Sequence, residues 1–270
     1  MTKSYIALVN ARKLCSLVLS PHTYTEISNW PLYFADHLGL VHGEYTLRFR
    51  RDFKLLLQAN HPVKWPIQEI VIQDDYRLRS LKADPPSIII DLGACIGMFS
   101  LYAKALFPKA KIYAFEPFAG YFPGLEKNIR LNSLGMGIIP YPLACYSETA
   151  VRLLKSGKTL KSPPLAAPSW IYSYKDSISL QGILDYNKLS TCDLLKIDVE
   201  GAEYDIIYSL PARMYRRIRR IHLEYHNLDV KTDLNGHSLK KWLEKNHFEV
   251  VQTKVPFQKM GMIFATNLAP

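Results

Sequence analysis

The chain has 270 residues, 48% of them hydrophobic, with a formal net charge of +10. That length and composition fill one α/β core with an N-terminal extension and exclude global disorder. Four scattered cysteines, Cys15, Cys95, Cys145 and Cys192, lack the C-x-x-C spacing of a zinc site or a disulfide framework, so a reducing, cytoplasmic setting is expected.

In chain order, residues 1–44 are ill-defined, with Pro21 and Pro31 breaking any long helix. The apolar stretch Ile6–Val9 is cut by Arg12 and Lys13 before it resumes at Leu17–Leu19, so no signal peptide is expected. No run is long enough to span a bilayer. Lys3, Arg12 and Lys13 flanking those aliphatics also admit a basic amphipathic helix resting on a lipid surface, which keeps peripheral membrane contact open. A helix packed on the rest of the chain is the expectation. Alternation over Tyr45–Phe53 predicts a strand, and Glu69–Ile72 a further short element.

The core pattern begins at residue 87. Strand 87–91 runs through a turn carrying Gly93 and Gly97 into helix 97–106, and strand 111–115 ends in Glu116-Pro117. An acid at the end of that second strand is placed to take both hydroxyls of a ribose. A dinucleotide fingerprint needs G-x-G-x-x-G, with a glycine that lets the backbone approach a pyrophosphate. This turn lacks that glycine, and Asp91 ahead of it would repel a diphosphate. An acid there suits a ligand with an amino group and a sulfonium, as S-adenosylmethionine has.

The pattern continues with helix 119–132, strand 137–144, a β-rich or loop insertion 150–175, helix 178–188, strand 193–198, helix 203–215, strand 219–225, helix 237–246 and strands 248–252 and 260–266. Alternating strands and helices predict a mostly parallel sheet with helices on both faces, closed by an antiparallel pair joined through Pro256. Lys155–Pro168, rich in Lys, Ser and Pro, reads as a loop at the rim of the site. Arg213, Arg216, Arg217 and Arg220, with Arg219 beside them, recur at helix-like spacing and read as a solvated helix face. No nucleic-acid reader module is recognisable, so nucleic acid is not the expected partner.

The stretch Asp193–Glu203 brings Asp198, Glu200 and Glu203 just past a fully apolar strand, at the end where open α/β sheets bind ligands. With Asp91–Gly97 and Phe115–Pro117, the motif Leu195–Glu203 closely resembles the FkbM family of S-adenosylmethionine-dependent methyltransferases, over roughly residues 45–265. One departure is Cys95, where such families usually carry a polar residue, most often Asn. The resemblance implies a class I, Rossmann-like fold with a seven-stranded sheet. The element pattern divides the chain into an extension (1–44), cap elements (45–86) and a core domain (87–270), for which the resemblance implies S-adenosylmethionine binding. The resemblance implies further that Asp91, Gly93, Ala94 and Gly97 surround the methionine portion, that Glu116 takes the ribose, and that the adenine lies near Phe115, Pro117, Ala144 and Cys145, with Glu148 the nearest carboxylate.

Methyl transfer to a hydroxyl needs a group that takes the proton. Asp198 is the first candidate and Glu200 the second, while Glu203 falls in the first turn of the next helix. Strand alternation sets His222, Glu224 and His226 on one side, so Glu224 and His226 also qualify. Asp198, Glu200 and Glu224 offer hard oxygen ligands, but a divalent metal is a variant of this chemistry and not the expectation. The reading is an O-methyltransferase for a small-molecule hydroxyl, a sugar, glycan or glycolipid, with polyketide-type hydroxyls in the same range. An RNA or protein methyltransferase and a non-catalytic S-adenosylmethionine-binding scaffold are the alternatives. The oligomeric state is not legible.

Overall fold

The computed structural model describes residues 20–61, 64–133, 137–156, 174, 176–228, 233–254 and 259–268. Seven strands form the central sheet: β3 (Ile88–Leu92), β4 (Lys111–Phe115), β5 (Ile138–Tyr141), β8 (Leu194–Ile197), β9 (Arg220–His226), β10 (Phe248–Lys254) and β11 (Met260–Asn267). Their spatial order is β10-β11-β9-β8-β3-β4-β5. All neighbours are parallel except β11, which runs antiparallel to both β9 and β10. This is the Rossmann-like arrangement of class I methyltransferases expected above.

Alternation along a strand sends successive side chains to opposite faces, and both faces are covered. Ile90 and Leu92 pack into one buried cluster with Ile206, Ile207, Leu239 and Leu243, from helices α7 (Glu203–Tyr208) and α9 (Gly236–Lys245). Ile89 packs into a second cluster with Phe99, Leu101 and Leu125, from α3 (Met98–Leu106) and α4 (Phe122–Arg130). The N-terminal elements join that second cluster through Leu47, Leu55 and Leu57.

Around Pro21 and Pro31 the helices are short, as expected, and each proline also starts one, standing in the first two positions of α1 (Pro21–Glu26) or α2 (Trp30–His37), where a missing N–H costs nothing. Other expectations are corrected. The strand read over 45–53 is a hairpin, β1 (Glu44–Phe49) and β2 (Phe53–Gln58), turned by Asp52 in the left-handed region. Asn128 of α4 and Asn132, just past the end of that helix, cover the free edge of β2, accepting from the Leu56 and Lys54 N–H groups respectively at 2.7 Å each. The element at 69–72 is a π-helix, Gln68–Gln73.

Strand 137–144 ends at Tyr141, before Pro142; the chain resumes as β6 (Ala144–Tyr146), which leaves the main sheet to pair with β7 (Ser177–Ser179). The segment from 150 is no strand or loop at its start: α5 (Glu148–Lys155) opens with the Ser147 hydroxyl accepting from the Ala150 N–H. Beyond Ser156 the expected rim loop, to Pro168, lies outside the described residues, as does the rest of the 150–175 insertion apart from Tyr174. Helix 178–188 begins only at Leu180, as α6 (Leu180–Tyr186). Helix 203–215 is split by Pro211 into α7 and α8 (Ala212–Tyr215). The arginines do not share a helix face, because Arg220 is in β9. Arg219 and Arg220 pair with Asp84, and Arg217 binds the Leu189 and Ser190 carbonyls.

Candidate active site

A cavity of about 550 Å³ opens at the carboxyl ends of β3, β4 and β8. In open parallel sheets this is where ligands bind, and the size suits a small molecule. Its floor is the β3–α3 turn. There Gly93, Cys95 and Gly97 all take positive φ, and the Gly93 and Ala94 N–H groups donate to the Phe115 carbonyl at 3.0 and 2.9 Å. A Cβ on Gly93 would stand 1.7 Å from the Asp198 carbonyl oxygen. The two motifs, separate in sequence, therefore touch backbone to backbone, and the Asp198 N–H donates to the Leu92 carbonyl at 3.1 Å.

Glu116 lies at the end of β4, buried, with one carboxylate oxygen accepting from the Cys95 N–H and the other from the Phe118 N–H, each at 2.8 Å. Burial raises its pKa, and those two backbone donors pull the other way. Each oxygen keeps a lone pair for a further donor. Cys95 contributes its backbone; burial pushes its thiol pKa up to about 12, so it stays neutral.

Asp198 and Glu200 also line the cavity, whose described lining includes no Lys or Arg. Behind them lies a charge network. Lys196 is buried in β8, its Nζ 3.1 Å from Asp91 Oδ1 and 3.6 Å from Asp198 Oδ2, and it donates to the Gly93 carbonyl at 2.6 Å. Burial opposes this cation, but the Asp91 and Asp198 charges raise its pKa. Strand register sets Asp91 beside Lys196 and Lys196 beside His222.

His226 has Nδ1 3.2 Å from Glu203 Oε1 and Nε2 3.3 Å from Glu200 Oε2, with Glu224 Oε1 at 3.9 Å. Burial disfavours its charge, yet the Glu203 hydrogen bond and the surrounding carboxylates win and hold its pKa at about 9. At neutral pH this holds it as an imidazolium among the carboxylates. Glu203 is fully buried at the first turn of α7 and accepts from the Gly201 N–H at 2.7 Å as well as from the His226 N–H at 2.8 Å. Burial, then the charge of Asp198, pushes Glu224 up to about 8, so it holds a proton at neutral pH.

Of the residues singled out from sequence, Gly93, Glu116, Pro117, Ala144, Asp198 and Glu200 line the cavity. Asp91, Ala94 and Gly97 do not. Asp91 is fully buried beneath the turn, bound to Lys196 and to the Ser100 hydroxyl. Glu224 and His226 stand behind Asp198 and Glu200. Glu148 starts α5, takes the Ser179 hydroxyl and does not reach the cavity. His222, at about 4 through burial, is neutral and binds the Tyr76 carbonyl. Sequence reasoning missed Lys196, although a lysine inside an apolar strand is itself a signal, and missed Tyr76, which donates to Asp198 Oδ2 at 3.0 Å. Among the described residues, no group of three or more His, Cys, Asp or Glu is arranged to hold a metal ion, and no helix is long and apolar enough to cross a membrane.

The family described as the methyltransferase FkbM domain matches residues 91–250. Methyltransferase sdnD of Sordaria araneosa is 28% identical over 189 residues, 58% of this chain and 72% of that protein. Methyltransferase 1 of Beauveria bassiana is 28% identical over 235 residues, 77% of this chain and 91% of its own length. The 31-O-demethyl-FK506 methyltransferase FkbM of Streptomyces tacrolimicus is 25% identical over 205 residues, 63% of this chain and 79% of its own length.

Proposed function

The chain belongs to the FkbM methyltransferase domain family and is a methyltransferase, and from that premise we propose that it methylates a hydroxyl of a small molecule, such as a sugar, glycan or glycolipid, using S-adenosylmethionine. The observation that carries this reading is that Glu116 and Asp198 line one cavity together with Gly93, whose backbone meets that of Asp198.

Those residues fit the cofactor. Glu116, already oriented by the Cys95 and Phe118 N–H groups, has lone pairs free for two ribose hydroxyls. Phe115, Pro117, Ala144 and Cys145 give apolar walls for an adenine. The turn at Gly93 leaves room for the backbone to meet the amino-acid end, with Asp91 held beneath it by Lys196 and Ser100.

When bound, S-adenosylmethionine supplies a methyl group on a positively charged sulfur, and the acceptor oxygen takes the methyl as the carbon–sulfur electron pair returns to sulfur. A sugar or alcohol hydroxyl is a poor nucleophile near neutral pH. Asp198, partly exposed at the cavity, takes its proton. Glu200 shares the rim, and its exposed carboxylate orients the acceptor. Glu224 keeps its own proton at neutral pH, and the His226 imidazolium fixes Glu200 and Glu203, so the negative charge in reach of the acceptor is concentrated on Asp198 and Glu200. An acidic lining with no Lys or Arg among its described residues repels a phosphate backbone, which favours a neutral hydroxyl compound over RNA. The relative named as a 31-O-demethyl-FK506 methyltransferase is in keeping with a small-molecule acceptor.

Isothermal calorimetry with S-adenosylmethionine and S-adenosylhomocysteine, with NAD as control, tests the cofactor. Radiolabelled methyl transfer to methyl glycosides and hydroxylated macrolactones tests the acceptor class. Binding of neither adenosyl compound would sink the cofactor reading.

A further inference from the structure

Tyr76 comes from the N-terminal segment, ahead of the residues 91–250 that match the family, yet its phenol enters the acidic cluster. Its Oη donates to Asp198 Oδ2 at 3.0 Å and lies 3.4 Å from Glu224 Oε2. The residue is buried, its ring edge-on to Phe99 at 5.4 Å. Its carbonyl accepts from the ring N–H of His222 at 2.7 Å. On either side Asp74 and Arg77 take left-handed backbone, and the Arg77 guanidinium sits 4.0 Å from the centre of the Phe264 ring. Asp74 in turn accepts from the Leu78 N–H at 2.8 Å. The segment around Tyr76 is thus fastened to β9, β11 and its own following turn.

We propose that Tyr76 is a positioning residue for methyl transfer: its hydroxyl ties back Oδ2 of Asp198 and leaves Oδ1 as the oxygen that meets the acceptor. This rests on the reading of Asp198 as proton acceptor. Among the described residues, both contacts to the Asp198 carboxylate, from Tyr76 and from Lys196 at 3.6 Å, fall on Oδ2. Lys196 is beyond good hydrogen-bond distance and is held by Asp91 and the Gly93 carbonyl. The phenol is therefore the group that fixes the carboxylate's rotation. Burial, then the Asp198 and Glu224 charges, raise the phenol's own pKa, so it remains a donor throughout the working pH range. A carboxylate free to turn loses the alignment on which proton transfer depends.

Incorporation of 3-fluorotyrosine at position 76 gives a direct readout that needs no acceptor. Its 19F resonance is expected to be displaced by Asp198→Asn and unmoved by Asp185→Asn, an exposed partner of Arg217. With whichever methyl glycoside or macrolactone the wild type methylates, Tyr76→Phe is expected to lower kcat by about tenfold to hundredfold. The acceptor KM and S-adenosylhomocysteine affinity should stay within about twofold, the split expected when positioning and not binding is lost. Thermal melting and S-adenosylhomocysteine calorimetry check that the variant folds; if it does not, the fluorine arm decides. An unmoved resonance, or wild-type kcat in Tyr76→Phe beside an inactive Asp198→Asn, overturns the inference alone. Wild-type kcat in Asp198→Asn overturns it together with the reading on which it rests.

Discussion

Replacing Lys196 by Met tests whether the β3 and β8 motifs are held together by charge. The ammonium is buried and reaches Asp91 Oδ1 at 3.1 Å, the Gly93 carbonyl at 2.6 Å and the Leu92 carbonyl at 3.2 Å. Methionine fills much the same volume, so the loss is electrostatic and not a cavity. Asp91 is fully buried and, among the described residues, keeps only the Ser100 hydroxyl, at 2.7 Å, as a partner. Breaking a buried pair from one side costs about 3–5 kcal/mol, because the remaining charge is uncompensated. For a domain of this size that is a fall in Tm of roughly 6–20 °C. Thermal melting by circular dichroism reads it. The reasoning makes a second, sharper demand: neutralising the orphan as well, in Lys196→Met with Asp91→Asn, should recover much of the loss, since neighbouring sites are not additive. A double variant no more stable than Lys196→Met would refute the buried-charge account and leave the lysine's carbonyl contacts as the cause.

Glu116→Ala should weaken S-adenosylhomocysteine binding by about tenfold to hundredfold, the worth of hydrogen bonds to a charged group; unchanged affinity by calorimetry would remove Glu116 from the cofactor site. Stability should fall with rising pH. His226 is raised from 6.5 to about 9, so its contribution is complete below pH 6.5 and disappears as pH climbs through 9. Glu224, raised from 4.5 to about 8, works in the same sense. The Tm of the wild type should therefore decline between pH 6.5 and 9, and less steeply in His226→Gln; equal slopes would show that the histidine is not the cation inferred. EDTA should leave methyl transfer unchanged, because of the three candidate oxygen ligands Glu200 is already engaged by His226 and Glu224 keeps its proton at neutral pH. Activity lost to EDTA and restored by magnesium would contradict this.

What the sequence discloses by itself is local. Apolar strands, the glycine turn after Asp91 and the acid after β4 each lie within a few consecutive residues, so composition and period disclose them. The alternation of β9 likewise put Glu224 and His226 on one side before any packing was known. Proline is legible only in part: Pro21 and Pro31 exclude a long helix, but the same rigid φ also starts a short one when the residue stands at its first turn. The turn at Arg50-Arg51-Asp52 carried no glycine or proline to betray the hairpin.

The site's chemistry was decided by juxtaposition. Whether His226 is a base or an imidazolium depends on Glu203, 23 positions away, and on Glu200, which a turn at positive φ brings beside it. Tyr76 meets Asp198 across 122 positions, with no local pattern to mark it. A residue's type and period fix its secondary structure and face, because those follow from backbone geometry repeated along the chain. Its charge state and partners follow from the field of groups that only strand register and packing bring within a few ångströms, and no single segment of the sequence contains that field.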